Sequence, residues 1–271
     1  MFDDLTDDAL TDRVRVWQRR RGHRYSVDDV VTAHVAIHAC PDARASLDLG
    51  CGIGSVLLMV ADRLPHVRAT GIEAQDVSLG LAECNIARNQ LEARVHLEPG
   101  DLRDEALIAR VLEREGRFAL VTGTPPYKPI GSASASPDSQ RAHARVELRG
   151  GVEAYLQAAA RTLAPEGRFV MCAETALAAR IDRAAAANGL SCIERLDVIP
   201  MRGRKAHLFS VHTFAFAADG GGPRVSELLL RDEGGARTDA SRDVRAFFGL
   251  HNQPDEAPSP RLRAAAVGEA R

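Results

Sequence analysis

The segment Asp48-Leu49-Gly50-Cys51-Gly52-Ile53-Gly54 constrains this chain more than any other. It joins a short apolar strand, Ser46–Leu49, to an apolar helix running from Val56 to Leu64 and ending before Pro65. Glycines at such a junction permit a tight turn whose bare backbone a ligand can approach. A strand that leaves through a glycine turn into a helix is the opening of a β-α unit. Its next strand then pairs parallel to the first.

The rest of the chain keeps that rhythm. Strands are expected at Val67–Ile72, Val95–Leu97, Phe118–Thr122 and Gly167–Cys172. The helices between them are expected from Asp76, over Leu102–Glu115, over Val152–Leu163 and over Thr175–Asn188. In the helix capped by Asp76, Val77, Leu81 and Cys84 are expected to face inward. Ile193–Ile199 and His207–Phe216 follow each other with only a short link, which predicts an antiparallel hairpin at one edge of the sheet. The expected fold is α/β: a mostly parallel seven-stranded sheet, an antiparallel edge hairpin and helices on both faces.

Residues 1–45 read as an N-terminal helical segment. Thr6 would cap a first helix with Leu10, Val14 and Trp17 on one face, and a second would run from Asp28 to Ala39. Residues 46–218 form the expected main domain. Gly220-Gly221-Gly222-Pro223 marks the boundary with a C-terminal extension, residues 219–271. The extension is expected to carry a strand over Val225–Leu230 and a helix over Asp239–Phe248. Beyond Gly249 it is rich in Pro, Ala and charge and is expected to be disordered.

Apolar residues make up 45% of the chain and charged residues 27%, a globular composition that excludes disorder throughout. No apolar run is long enough for a membrane helix, and the acidic start is not that of a secretory signal. The cysteines, at 40, 51, 84, 172 and 192, are scattered and never spaced C-x-x-C. That argues against a disulfide framework and against a zinc site, and predicts a reducing compartment, the cytoplasm. Net charge is −2, but two basic clusters stand out: Arg13, Arg15, Arg19, Arg20, Arg21 and Arg24, and then Arg202, Arg204 and Lys205. Either is a solvated face or a surface for phosphates.

The glycines are spaced G-x-G-x-G, not in the G-x-G-x-x-G pattern that cradles a dinucleotide. With Asp48 ahead of them, this favours S-adenosylmethionine (SAM) over a nicotinamide cofactor. Glu73 ends the second strand of the main domain, where a carboxylate can accept both ribose hydroxyls. Asp101, followed by Leu102, ends the third strand and is placed for the amino group of adenine. The candidate cofactor residues are therefore Asp48, Gly50, Cys51, Gly52, Gly54, Glu73, Asp101 and Leu102. No metal is required, because a sulfonium methyl group is already electrophilic.

The fourth strand runs into Thr124-Pro125-Pro126-Tyr127. This resembles the N-P-P-Y motif of amino-group methyltransferases, with Thr124 in place of the Asn. Two acceptors there, a side-chain oxygen and a backbone carbonyl, can bind both N–H groups of an exocyclic amine and aim its lone pair. The prolines fix the turn. Tyr127 can stack on a flipped-out base. More widely, residues 22–250 resemble the bacterial tRNA(Val) adenine-N(6) methyltransferase family, within the class I SAM-dependent methyltransferases. The resemblance rests on Gly22-His23-Arg24-Tyr25-Ser26-Val27-Asp28, on Pro200-Met201-Arg202-Gly203-Arg204-Lys205-Ala206 and on Arg237-Thr238-Asp239. It implies a Rossmann-like fold, SAM as cofactor and tRNA as partner. It adds Tyr25, Ser26 and Asp28 as cofactor candidates and Arg202, Arg204 and Lys205 as substrate candidates. The long loop from Lys128 to Arg149, with Arg141, His143, Arg145 and Arg149, is expected to border the substrate. Three other readings stay open: a methyltransferase of protein glutamine, one of small molecules, and a catalytically silent SAM-binding or RNA-binding protein.

Overall fold

The computed structural model describes residues 4–128, 138, 140, 144, 146–203, 206–216 and 221–250. The alternation read from the sequence becomes a single eight-stranded sheet with helices on both faces. Its strands are β3 Ala45–Leu49, β4 Arg68–Glu73, β5 Val95–Pro99, β6 Phe118–Gly123, β7 Leu163–Ala173, β8 Leu190–Ile199, β9 Phe209–Phe216 and β10 Arg224–Leu229. The spatial order is β10-β8-β9-β7-β6-β3-β4-β5. β9 alone runs antiparallel to its neighbours. The expected class, an α/β sheet of Rossmann-like type, is the one observed, but with eight strands rather than seven. The extra strand is β10, which pairs parallel to β8. The β8–β9 hairpin is therefore not the edge of the sheet.

The helices are α1 Val27–Ala39, α2 Ser55–Arg63, α3 Asp76–Arg88, α4 Glu105–Glu115, α5 Val152–Thr162, α6 Ala178–Ala187 and α7 Asp239–Phe247. Two apolar cores lie on opposite faces of the sheet. One gathers α1 and α2 against Leu120, Val170 and Val211. The other gathers α4, α5 and α6 against Leu47, Val121 and Phe169. In α3 the buried residues are Ser78, Leu81, Ala82, Asn85 and Ile86, whereas Val77 is 39% exposed. The inward face is thus rotated from the Val77–Leu81–Cys84 stripe, because two polar residues, Ser78 and Asn85, are recruited to hold other segments.

The first expected helix is instead a hairpin. β1, Leu5–Ala9, pairs antiparallel with β2, Arg15–Arg19. Val14, Val16 and Gln18 are buried, a period of two that the wider spacing of Leu10, Val14 and Trp17 conceals. The outer edge of β2 is completed by side chains of α3. Asn85 accepts from Trp17 N–H at 2.7 Å and donates to its carbonyl at 3.1 Å. Asn89 does the same for Arg15, at 3.0 and 2.8 Å. The N-terminal basic run is largely paired within the fold. Arg13 meets Asp62, Arg15 meets Asp7, Arg19 meets Asp138, Arg20 meets Asp4 and Arg24 meets Asp8.

Candidate active site

β3 is the point where the sheet order reverses, since the chain moves from it to β4 on one side and returns to β6 on the other. In an open α/β sheet the crevice at the carboxyl ends of such strands is where ligands bind. A cleft opens there. Gly50, Cys51 and Gly52 after β3, Glu73 and Gln75 after β4, Gly100, Asp101 and Leu102 after β5, and Thr124 and Pro126 after β6 all line it. Tyr25 and Asp29 close it from the N-terminal side, and Arg149, Gly150 and Tyr155 from the segment that leads into α5.

The glycine loop turns as the sequence predicts. Gly50, Gly52 and Gly54 have φ of 63°, 59° and 87°, the left-handed region that side chains resist. A side chain on Gly52 would meet nothing within 4 Å, so its backbone faces open space. A side chain on Gly50 would collide with the hydroxyl of Tyr155. Gly54 is the N-cap of α2, behind the cleft. Asp48 also lies behind it, fully enclosed, accepting from Thr122 Oγ1 at 2.8 Å. Burial pushes the Asp48 carboxyl up to about 7, against the pull of that hydrogen bond.

Glu73 is 6% exposed and steers the loop directly. One carboxylate oxygen accepts from Gly52 N–H at 2.8 Å and the other from Gln75 N–H at 2.7 Å. Burial raises its pKa, and these backbone donors partly offset the rise. Asp101 accepts from Arg103 three times, at 3.0, 2.9 and 2.7 Å. Burial opposes its ionisation, but the Arg103 guanidinium holds its carboxyl below the usual range.

The Thr-Pro-Pro-Tyr turn leaves β6 beside the glycine loop. Thr124 and Pro126 face the cleft, and Pro125 is buried. Tyr127 does not line it. The hydroxyl of Tyr127 reaches inward to Asp28 Oδ2 at 3.2 Å and contacts Cys172 Sγ. Ser26 is the N-cap of α1, and its hydroxyl donates to Asp28. Of the three candidates before the glycine loop, therefore, Tyr25 reaches the cleft, while Ser26 and Asp28 brace α1. Arg202 is exposed in the turn after β8, and its N–H donates to the carbonyl of Arg231 at 2.9 Å. Because β8 runs with β7, this turn lies at the same end of the sheet as the cleft. Arg204 and Lys205, with Arg141, His143 and Arg145, lie outside the described residues, as does the tail beyond Leu250.

Sequence reasoning missed Tyr155 and Asp29. Tyr155 fills the space left by two glycines, Gly50 and Gly123. The available signal was Gly123 itself, a strand-end glycine that leaves room for a ring. Asp29 carried no signal, since it reads as an ordinary first-turn acid of α1.

A family model for the methyltransferase small domain matches residues 28–135. A tRNA1(Val) (adenine(37)-N6)-methyltransferase of Porphyromonas gingivalis is 33% identical over 125 residues, 46% of this chain and 48% of the relative. The alignment thus spans about half the length of that relative. A protein of the same description from Bacteroides thetaiotaomicron is 28% identical over 76% of this chain and 82% of its own length. Residues 28–135 are thus similar to the methyltransferase small domain. The release factor glutamine methyltransferase of Geobacter sulfurreducens is 32% identical, over 46% of this chain and 41% of its own length. In fold, the chain is similar to a crystal structure described as a predicted O-methyltransferase of Agrobacterium tumefaciens. That likeness has a TM-score of 0.57 and 18% identity, over 81% of this chain and 95% of the other.

Proposed function

We propose that this chain is a SAM-dependent methyltransferase that acts on the exocyclic amine of adenine in tRNA. The observation that carries the reading is one of position. Thr124-Pro125-Pro126 opens onto the same cleft as the glycine loop, Glu73 and Asp101. The residues fit the cofactor. Gly52 leaves bare backbone, Glu73 presents a carboxylate to the cleft for ribose hydroxyls, and Asp101 keeps one lone pair for the adenine amino group. SAM, when bound, supplies an electrophilic methyl group, so the chain itself needs only to bind and aim.

In this reading Thr124 Oγ1 accepts one N–H of the target amine, and a backbone carbonyl beside the prolines accepts the other. Both acceptors draw the nitrogen lone pair out of the ring and towards the methyl group. Arg202, at the cleft end of the sheet, binds tRNA phosphates, and the sequence resemblance adds Arg204 and Lys205 to that role. The names of the Porphyromonas and Bacteroides relatives support adenine in tRNA as the target. The Geobacter relative keeps protein glutamine as the second reading, since an amide presents the same N–H pair. Mass spectrometry of nucleosides from total tRNA, with and without the gene, tests the proposal. Loss of N6-methyladenosine in the deletion strain supports it, and an unchanged nucleoside profile refutes it.

A further inference from the structure

A line of polar side chains crosses the sheet beyond the Pro-Pro turn. Asp197, near the end of β8, and Ser210, near the start of β9, face each other across the hairpin, and both are buried. Asp197 Oδ1 accepts from Ser210 Oγ at 2.6 Å, and its Oδ2 accepts from Arg195 Nη2 at 3.0 Å. Burial opposes the ionisation of Asp197, but Ser210 and Arg195 hold its carboxyl below the usual range. Ser210 Oγ also lies 2.8 Å from Thr175 Oγ1, in the short helical turn Thr175–Leu177 after β7. Thr175 is half-buried. A hydroxyl has one proton to give, and an ionised carboxylate only accepts. Ser210 therefore spends its proton on Asp197, and Thr175 must donate to Ser210. The direction of the chain is fixed from its buried end, and the outermost oxygen, on Thr175, is left with lone pairs alone.

The topology tells what such an acceptor meets. β6, β7 and β8 run in one direction, so Thr124, Thr175 and Arg202 all follow strands that end on the same side of the sheet. Thr175 stands between the other two, one strand from Thr124 and two from Arg202, with strands about 4.8 Å apart. A nucleotide whose phosphate meets Arg202 and whose base meets Thr124 carries its ribose over β7. Resting on the reading above, we propose that Thr175 is a specificity-determining residue that accepts the ribose 2′-hydroxyl of the target nucleotide and so selects RNA over DNA. The 2′-hydroxyl is the group by which a protein tells the two apart, and it can act as a donor. Thr175 suits it because its own proton is already engaged, so the incoming O–H meets no competing donor. Thr175, Ser210, Asp197 and Arg195 do not line the cofactor cleft, so this selection acts on the substrate alone.

The test is methyl transfer by the full chain to two synthetic RNA oligonucleotides spanning the adenosine it methylates, with ribose or 2′-deoxyribose at that adenosine alone. For the wild type, loss of the 2′-hydroxyl is expected to lower kcat/KM about tenfold, the scale of one well-placed hydrogen bond. Thr175→Val is expected to lower kcat/KM on the ribose substrate by a similar factor and to leave the deoxyribose substrate within about twofold, with SAM affinity unchanged. Thr175→Ser keeps the acceptor and should keep the discrimination. Should Thr175→Val fail to fold, Ser210→Ala reads the same point, because it frees the Thr175 proton and should cut the discrimination about threefold. A wild type that methylates both substrates equally, a Val variant that slows both alike, or an Ala variant with undiminished discrimination overturns the assignment of Thr175 while the reading above stands. A wild type that methylates no adenosine in RNA overturns both.

Discussion

Tyr127 donates its hydroxyl to Asp28 across 3.2 Å and so ties the turn after β6 to the first turn of α1. The ring that was expected to stack on a base packs against the core instead and serves as an anchor. Tyr127→Phe keeps the ring and removes the tie. Methyl transfer is expected to slow by ~0.5–1.5 kcal/mol, the net value of one hydrogen bond, with tRNA affinity unchanged. Tyr127→Ala also removes a ring packed against the core and should lower the melting temperature as well as the rate. Single-turnover rates on tRNA separate the two, and a Phe variant as fast as the parent would remove the anchor from the mechanism.

Thr124 faces the cleft and offers one acceptor where the motif it resembles offers an amide oxygen. Thr124→Asn is expected to speed methyl transfer by about 1–3 kcal/mol of transition-state stabilisation. Thr124→Val, similar in shape but without an acceptor, is expected to be slower than the parent. Equal rates for the parent and the Val variant would show that this side chain does not hold the target amine.

Gly50 has no room for a side chain on its Tyr155 side. Gly50→Ala combines that collision with a left-handed φ of 63°, which alone costs about 1–2 kcal/mol. The variant should melt at a lower temperature and lose SAM affinity. Adding Tyr155→Phe removes the colliding hydroxyl and should recover part of the melting temperature, leaving the backbone cost. A double variant no more stable than Gly50→Ala would place the strain elsewhere.

The Asp48 carboxyl is pushed up to about 7 by burial, with the nearby charge of Glu73 acting in the same direction and the Thr122 hydroxyl against it. Its folded pKa thus lies above that of the unfolded chain. The stabilising contribution is complete below the unfolded value near 4 and is lost as pH rises through about 7. The ligand-free protein should therefore lose stability between pH 5 and pH 8, by an amount on the order of 1–3 kcal/mol from this group. Asp48→Asn does not titrate and should flatten that part of the profile in thermal melts across the range. An Asn variant with the same slope would assign the pH dependence to other groups.

Arg202 stands exposed at the cleft end of the sheet. If it contacts a phosphate, Arg202→Gln should weaken tRNA binding alike for different tRNAs and lower the slope of log affinity against log salt by about 1. SAM affinity should not move. Filter binding across a salt series measures the slope, and an unchanged slope would take Arg202 out of the RNA surface.

The parts of this molecule that were legible in its sequence are those fixed by local chemistry. Gly50, Gly52 and Glu73 announce themselves because a glycine turn and a strand-end acid do one job in this topology. The hairpin was not legible. Half of what satisfies the backbone of β2 comes from Asn85 and Asn89, far along the chain, and no window around Trp17 contains them. The pairing of Arg13 and Arg19 was hidden for the same reason, since Asp62 and Asp138 are remote in sequence. Tyr155 and Asp29 take their meaning from a cleft that exists only once six elements have met.

Asn85 spends its amide on more than the hairpin, for the same NH2 group also donates to the carbonyl of Ile53 at 3.0 Å. Ile53 lies between Gly52 and Gly54. The N-terminal hairpin and the glycine turn are therefore expected to open as one cooperative unit in hydrogen exchange. Such a unit would begin ahead of residue 28, where the match to the methyltransferase small domain starts. A probe on Trp17, the single tryptophan, would report on the glycine turn from outside it.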